Sequence, residues 1–265
     1  MKKSTAIFLT IVLLFGCSKV PISNRKQLNL LPESEMMAMA LTNYNGFLKT
    51  NPPLVGSSDA QLVKTVGMKI ANAAQQYLKT HNGAKRIAGF KWEYNLVNSP
   101  EVNAWCMPGG KIVVYNGILS ITQTEAGLAT VISHEVSHAI ARHGNERMSQ
   151  GLIAQAGGIA LDVYLSQKPN AMNDMYRSVY GIGANVGVLL PYGRMQESEA
   201  DRMGLTFMAI AGYNPNDAIA FWERMKNSSK GASVPTFLST HPDDDKRIAD
   251  LKSYLPEAMK FYKGK

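Results

Sequence analysis

The stretch His134-Glu135-Val136-Ser137-His138 decides the fold, because it spaces two histidines as one face of a metal-binding helix requires. Residues four positions apart in an α-helix lie on the same face, so His134 and His138 can bind one metal ion together. Glu135 stands beside them, where a carboxylate can accept the proton of a water molecule that the metal activates. Apolar residues at helical spacing precede the stretch and a glycine follows it. The pattern predicts the active-site helix of a zinc hydrolase.

A catalytic zinc site needs a third protein ligand besides the two histidines. An extended form of the motif would supply a histidine at position 144, but that residue is Gly144, and His143 comes one position early. On a continuous helix His143 would point away from the other two histidines, so we interpret it as a surface or helix-terminal residue. We therefore expect a later helix to supply the third ligand.

The segment 196–205 carries the acidic residues that fit this role. Glu197 and Asp201 are four positions apart and share a helix face, whereas Glu199 points elsewhere. We assign Glu197 to zinc, and Asp201 to a position behind the ligands, where it would accept the free N–H of His134. A solvent-facing acidic surface is the alternative, but the small and apolar residues that follow favour an inward orientation.

Three linked motifs resemble those of peptidase family 48, the small gluzincin metallopeptidases that include BepA-like and Oma-type proteases. They are HEVSHAIARH at 134–143, QESEADRMGLTFMAIAGYNP at 196–215 and STHPDDDKRI at 239–248. The resemblance runs from about Val20 to the C-terminus. It implies that Glu197, in the ExxAD motif, is the third zinc ligand. It also implies that His241, in the STHP motif, either binds the metal at rest or stabilises the oxyanion.

Two residues are candidates to stabilise the oxyanion of peptide hydrolysis beside the metal. His241 is the first, although without the resemblance a solvent-facing histidine near a helix start would be the better interpretation. Arg194, just before the helix of the third ligand, is the second, and a plain salt bridge is an equally good interpretation of it.

Two β-strands are expected, at 90–97 and 110–115. Between them, residues 99–110 end in a Pro-Gly-Gly turn and resemble the family's stretch ahead of the sheet edge that borders the cleft. Such an edge can bind an extended peptide by main-chain hydrogen bonds, and an ordinary hairpin that supports the core is compatible with this. Helices are expected near 33–49, 58–79, 124–143, 148–165, 195–211, 215–226 and 243–254. The predicted fold is α+β, a mostly helical zincin-type domain with a small β-sheet that borders the active-site cleft.

The N-terminus resembles a bacterial export signal with a lipid attachment site. Lys2 and Lys3 precede an apolar run that is too short to cross a membrane, and Leu14-Phe15-Gly16-Cys17 is similar to a lipobox. We expect cleavage before Cys17 and its lipidation, with a plain cleaved signal as the alternative. The expected organisation is a signal peptide at 1–16, a lipidated polar tether at 17–31 and a zinc metallopeptidase domain at 32–265.

The expected location is the cell envelope, with the lipid on Cys17 in the outer membrane and the domain facing the periplasm. Lipidation leaves Cys106 as the other cysteine, so we expect no structural disulfide and interpret Cys106 as a small apolar core residue. The formal net charge is +8, but the basic residues are scattered, and the sequence has no nucleic-acid footprint.

These features together predict a zinc-dependent endopeptidase with one zinc ion per chain. The resemblance implies protein quality control, with unfolded or misassembled envelope proteins as substrates. The alternative is a periplasmic chaperone or assembly factor that uses the peptide cleft with little or no proteolysis, and a metal-dependent amidase is a third hypothesis. Glu135→Gln separates the first two, because binding should survive it and proteolysis should not.

Overall fold

The computed structural model describes residues 17–157, 159–180, 193–229, 234–241 and 246–264. The helices of this part are α1 (Glu33–Thr50), α2 (Ser58–Thr80), α3 (Leu119–Thr122), α4 (Glu125–Ala141), α5 (His143–Ala156), α6 (Leu161–Gln167), α7 (Ala171–Tyr180), α8 (Arg194–Ile210), α9 (Asp217–Ser228), α10 (Thr236–Thr240) and α11 (Arg247–Met259). The strands are β1 (Cys17–Lys19), β2 (Lys26–Leu28), β3 (Glu93–Val97), β4 (Ala104–Met107) and β5 (Lys111–Tyr115). The mostly helical α+β class predicted from the sequence is confirmed.

Helix α4 lies at the centre of the fold, and every residue from Gly127 to Ala141 is buried. The helix begins after Thr124, whose hydroxyl accepts a hydrogen bond of 3.0 Å from the Gly127 N–H. Helices α2, α8 and α9 and strand β4 surround it. A helix covered on all sides is normally apolar throughout. The polar side chains of α4 therefore need partners inside the protein or an opening toward a cleft.

The larger sheet has the strand order β3-β5-β4, with β5 parallel to β3 and antiparallel to β4. The expected strand at 110–115 is therefore the central strand, and the edge strand β4 lies inside the stretch 99–110 that precedes it. Gly109 and Gly110 form the β4–β5 turn with φ of +85° and +80°, a conformation that favours glycine. A side chain at Gly110 would also meet the Trp92 ring at 2.7 Å.

The expected continuous helix over 124–143 is wrong at its C-terminal end. Arg142 adopts the left-handed conformation, with φ of 61°, and its N–H donates to the Ala139 carbonyl at 3.1 Å. Helix α5 begins at the next residue, so the chain changes direction and His143 points into the protein. Gly144 is not a helix stop. A Cβ there would lie 1.9 Å from the Tyr180 hydroxyl, so glycine permits the close approach of α7.

The N-terminal segment differs from the expected polar tether, because its described part forms a hairpin that packs on the domain. Strands β1 and β2 pair antiparallel, and Val20 between them joins the main hydrophobic core. The predicted signal peptide at 1–16 lies outside the described residues, and lipidation of Cys17 stays a prediction. No helix in the described part of the chain is long and apolar enough to cross a membrane.

The expected helix at 148–165 is instead divided between α5 and α6, with α7 following. Gly157 ends α5 in the left-handed conformation, with φ of 59°. Helices α5 and α7 pack against each other through a second hydrophobic cluster that includes Met148, Leu152 and Met175. The glycine-rich segment 181–190 lies outside the described residues.

Candidate active site

Four buried side chains named by the sequence analysis converge at one point: His134, His138, Glu197 and His241. One possible ligand atom from each lies within 4.8 Å of those of the others. The Nε2 atoms of His134 and His138 are 3.0 Å apart, and each lies 3.3 Å from a carboxylate oxygen of Glu197. His241 Nδ1 lies 3.3 Å from His134 Nε2 and 3.1 Å from Glu197 Oε1.

Close packing of α8 on α4 brings Glu197 to the two histidines. Gly204 of α8 faces α4, where a Cβ would lie 3.1 Å from Ser133 Oγ and 3.4 Å from the main-chain nitrogen of His134. A larger residue would therefore push the helices apart. The i, i+4 spacing within α4 then aligns both imidazoles toward the carboxylate.

The spacing of the donor atoms fits a zinc ion. Zinc binds imidazole nitrogen and carboxylate oxygen at about 2.0–2.2 Å in tetrahedral sites, so neighbouring ligand atoms lie about 3.4 Å apart. The observed separations of 3.0, 3.1 and 3.3 Å are close to that value. The buried Oε2 of Glu197 lies 3.2 Å from the Arg247 guanidinium and 3.3 Å from His134 Nε2 without a well-aligned hydrogen bond to a described residue. Two imidazoles and a carboxylate are a common donor set of catalytic zinc sites.

His138 is electrostatically suited to bind a metal. Burial lowers its pKa well below the usual value for histidine, because this effect is larger than the rise in pKa that the charge of Glu197 causes. The imidazole is therefore neutral at physiological pH, which is the form that binds metals.

Glu135 lies between this group and a large cleft. The cleft has a volume of about 980 Å³, and its lining includes Glu135, His241 and residues of α1, β4 and α7. Glu135 Oε1 lies 3.3 Å from His241 Nε2, and the Cys106 N–H of the edge strand also hydrogen-bonds the carboxylate. Burial raises the pKa of Glu135, although the charges of His241 and His134 oppose the shift. A raised pKa suits a carboxylate that must take and release a proton near neutral pH.

Asp201 lies behind His134, as the sequence analysis predicted. Its Oδ1 is 2.9 Å from His134 Nδ1 and accepts a hydrogen bond of 2.8 Å from Arg247. The Arg247 guanidinium also lies 3.2 Å from Glu197 Oε2 and 3.3 Å above the centre of the Trp222 ring. Arg247 belongs to the motif at 239–248, but its spacing in the sequence does not indicate this role. Its position on α11 links the C-terminal helix to two site residues.

His143 and Glu199 lie behind His138. His143 is helix-terminal, as the first residue of α5, but the interpretation of it as a surface residue is wrong. His143 is buried, with its Nδ1 2.9 Å from His138 Nδ1, and its Nε2 is 3.1 Å from Glu199 Oε2. The left-handed Arg142 turns His143 inward, which a continuous helix would not allow. Glu199 points away from the metal ligands but not toward solvent, because the N-terminal hairpin covers it.

Arg194 does not line the cleft beside Glu135 and His241. It is an exposed residue at the start of α8 and lines a smaller pocket with Asp201 and Tyr254. This position does not favour the oxyanion role suggested for it. Cys106 is buried, and burial raises the pKa of its thiol well above the usual value, in agreement with an apolar core residue.

Comparisons with known proteins identify the class. The chain belongs to peptidase family M48, whose family model matches residues 60–255. It is therefore a zinc-dependent metalloendopeptidase, as the motifs predicted.

Its curated relatives include mitochondrial metalloendopeptidases and a bacterial protease. The chain is 31% identical to the mitochondrial metalloendopeptidase OMA1 of Saccharomyces cerevisiae, over 99% of this chain and 78% of that protein. It is 38% identical to OMA1 of Schizosaccharomyces pombe, over 65% of this chain and 49% of that protein. It is 25% identical to the β-barrel assembly-enhancing protease of Escherichia coli, over 77% of this chain and 39% of that protein. The chain thus spans half or less of the length of the last two relatives.

These comparisons contradict the expected location. The relatives from two yeasts and from Arabidopsis thaliana are named as mitochondrial metalloendopeptidases. The expected location in a bacterial outer membrane, facing the periplasm, is therefore wrong.

Proposed function

We propose that His134, His138 and Glu197 hold one zinc ion and that Glu135 is the general base of peptide-bond hydrolysis. The observation that carries this proposal is the approach of the three ligand side chains to within 3.0–3.3 Å of one another, with Glu135 beside them at the cleft. When bound, zinc makes water nucleophilic at neutral pH and polarises the substrate carbonyl.

Glu135 would transfer the proton of the reaction. Its carboxylate accepts the proton of the attacking water and then returns it to the nitrogen of the leaving amine. The hydrogen bond from the Cys106 N–H holds the carboxylate at the edge of the sheet. A substrate strand beside β4 would therefore place its carbonyl next to Glu135.

We assign two alternative roles to His241, both supported by its contacts. Its Nδ1 lies among the ligand atoms, which supports a resting state in which His241 binds the metal as a fourth ligand. Its Nε2 lies 3.3 Å from Glu135, next to the position where a substrate carbonyl would react, which supports oxyanion stabilisation. His241→Ala separates them, because loss of a blocking ligand raises activity and loss of an oxyanion donor lowers it.

The substrates we propose are unfolded or misassembled protein chains, which is the quality-control role expected from the sequence. The cleft is long enough to involve α1, α7 and α10, and aromatic side chains form part of its wall. Trp105 and Phe47 pack edge to face there, with ring centroids 5.2 Å apart. Main-chain recognition by an edge strand suits extended chains of many sequences. The name of the Escherichia coli relative supports action on proteins during assembly.

The test combines metal analysis with a protease assay. Wild type, Glu135→Gln and the control Glu101→Gln are compared for zinc content and for cleavage of casein. Glu101 is exposed and lines the same cleft, so its variant carries the same chemical change away from the ligands. We expect one zinc per chain in all three proteins and cleavage by wild type and Glu101→Gln only. Binding of unfolded casein with no cleavage by wild type would favour the chaperone alternative, and absence of zinc would refute the proposal.

A further inference from the structure

We propose that Arg25, in the N-terminal hairpin, is a positioning residue for the zinc ligand His138. It acts through Glu199 and His143, which connect it to the rear nitrogen of the His138 ring. This inference rests on the proposed function, since it requires that His138 bind zinc. The N-terminal hairpin would thus contribute to catalysis, although it lies far from the zinc ligands in the sequence.

Arg25 holds two buried carboxylates with all three of its guanidinium nitrogens. It donates to both oxygens of Glu199, at 2.9 and 2.8 Å, and to both oxygens of Glu146, at 2.6 and 2.8 Å. The Ser23 hydroxyl adds a hydrogen bond of 2.5 Å to Glu199. The Arg25 side chain is 19% exposed, and those of Glu146 and Glu199 are 5% and 6% exposed. Bidentate pairs with little solvent contact are far more directional than exposed ion pairs.

The contacts from Glu199 to His138 define the direction of the hydrogen bonds. When His138 binds a metal through Nε2, its Nδ1 carries the proton and donates to His143 Nδ1 at 2.9 Å. His143 then carries its own proton on Nε2 and donates it to Glu199 Oε2 at 3.1 Å. The charge of Glu199 therefore selects the tautomer of both rings, and Arg25 fixes the position of that charge.

The same arrangement supports the other histidine ligand by a shorter route. Asp201 contacts His134 directly, and Arg247 of the C-terminal helix α11 holds Asp201. Behind each ligand histidine thus lies a carboxylate that accepts hydrogen bonds from an arginine. Asp201 contacts His134 directly, whereas Glu199 is connected to His138 through His143. Outer partners of this kind orient the imidazole and raise its basicity, and their loss typically weakens metal binding by about 10–100-fold.

The competing explanation is that Arg25 only anchors the hairpin. Its bond to Glu146 does anchor it, because Glu146 lies on α5 and also accepts a hydrogen bond of 2.7 Å from Gln196 of α8. The Glu146 and Glu199 contacts can be removed separately. An anchoring role depends on both, whereas the positioning role depends on Glu199.

The test measures zinc affinity of the full chain by competition with a chromophoric chelator, together with kcat and KM for a casein peptide. We expect Arg25→Gln to weaken zinc binding by about tenfold and to lower kcat with little change in KM. Lys26→Gln is the matched control, because the neighbouring Lys26 is exposed and its side chain has no bonded partner among the described residues. Its zinc affinity should stay within about twofold of wild type.

Two further variants separate positioning from anchoring. Glu199→Gln should weaken zinc binding by at least as much as Arg25→Gln, and adding Arg25→Gln to it should have an additional effect below about twofold. Glu146→Gln should lower the stability of the zinc-free protein but leave zinc affinity near that of wild type. Arg25→Lys keeps the charge without the bidentate geometry, so we expect a zinc affinity between those of wild type and Arg25→Gln. A zinc affinity of Arg25→Lys below that of wild type also tests the inference if Arg25→Gln folds poorly.

Several results would overturn the inference. One is an equal zinc affinity of Arg25→Gln and Lys26→Gln. Another is a loss in Glu146→Gln as large as that in Arg25→Gln, and a third is full additivity of Arg25→Gln with Glu199→Gln. Wild type that binds no zinc would instead refute the proposed function, so the two failures are distinguishable.

Discussion

Replacing Gly204 with alanine tests how closely α8 must pack on α4. Alanine is favoured over glycine inside a helix by about 1 kcal/mol. The new methyl group, however, would lie 3.1 Å from Ser133 Oγ and 3.4 Å from the His134 nitrogen, whereas optimal carbon contacts lie at about 3.5–4.0 Å. Overpacking of a buried contact costs about 1–3 kcal/mol, and the backbone of His134 cannot move without moving a site residue. We therefore expect a net loss of about 1 kcal/mol in the free energy of unfolding.

Urea denaturation in the presence of a chelator measures this loss, and Gly46→Ala provides the control. Gly46 lies on the exposed side of α1, and a Cβ there has nothing within 4 Å. Its replacement should stabilise the protein by about 1 kcal/mol, because only helix propensity acts. Adding Ser133→Ala to Gly204→Ala removes the shortest contact and should recover part of the loss. If Gly204→Ala stabilised the protein as much as Gly46→Ala, the proposed close packing would be refuted.

Three other predictions concern charge and metal. Arg247→Met should destabilise the zinc-free protein by about 3–5 kcal/mol in urea denaturation, because it leaves the carboxylates of Asp201 and Glu197 buried without their guanidinium; a loss below 1 kcal/mol would contradict this. Burial raises the pKa of Glu199, but its histidine and arginine partners outweigh burial and lower it to about 2. Stability from this carboxylate should therefore be present above pH 4.5 and decline as pH falls toward 2, by about 2 kcal/mol after allowance for solvent screening, and Glu199→Gln should lack that decline. Removal of zinc by EDTA should lower the thermal midpoint by about 10 °C, since zinc at a thousand times its Kd stabilises by about 4 kcal/mol; scanning calorimetry before and after readdition of zinc would show it.

The regular helices could be predicted from the sequence because their apolar residues repeat at helical spacing. The predicted segments 33–49 and 58–79 match α1 and α2 at all but the last residue. The prediction of one helix over 148–165 failed where Gly157 takes a left-handed conformation. The edge strand β4 was missed as a separate element, since its four residues show too little alternation to stand out.

The metal-facing residues could be predicted because their geometry is local. The spacing of His134 with His138, and of Glu197 with Asp201, places each pair on one helix face whatever the rest of the fold does. The support behind His138 could not be predicted in the same way. It depends on a left-handed non-glycine residue, Arg142, and on a hairpin that contacts α8 across a separation of 174 residues. Neither feature has a signal in local periodicity.

The charges around the ligands explain why the site suits a divalent cation. Among the described residues around the ligands, three carboxylates, those of Glu135, Glu197 and Asp201, are buried with one guanidinium, that of Arg247. With all carboxylates ionised and neutral imidazoles, this group carries a net charge of −2, which is costly in a poorly solvated interior. Without a metal ion, a proton on His134 offsets part of this charge. Burial lowers the pKa of His134, yet Glu197 and Asp201 raise it to about 9, whereas His138 stays neutral. A zinc ion, with a charge of +2, would neutralise the group while both imidazoles stay neutral and able to act as ligands. The net negative charge of the site therefore favours binding of a divalent cation.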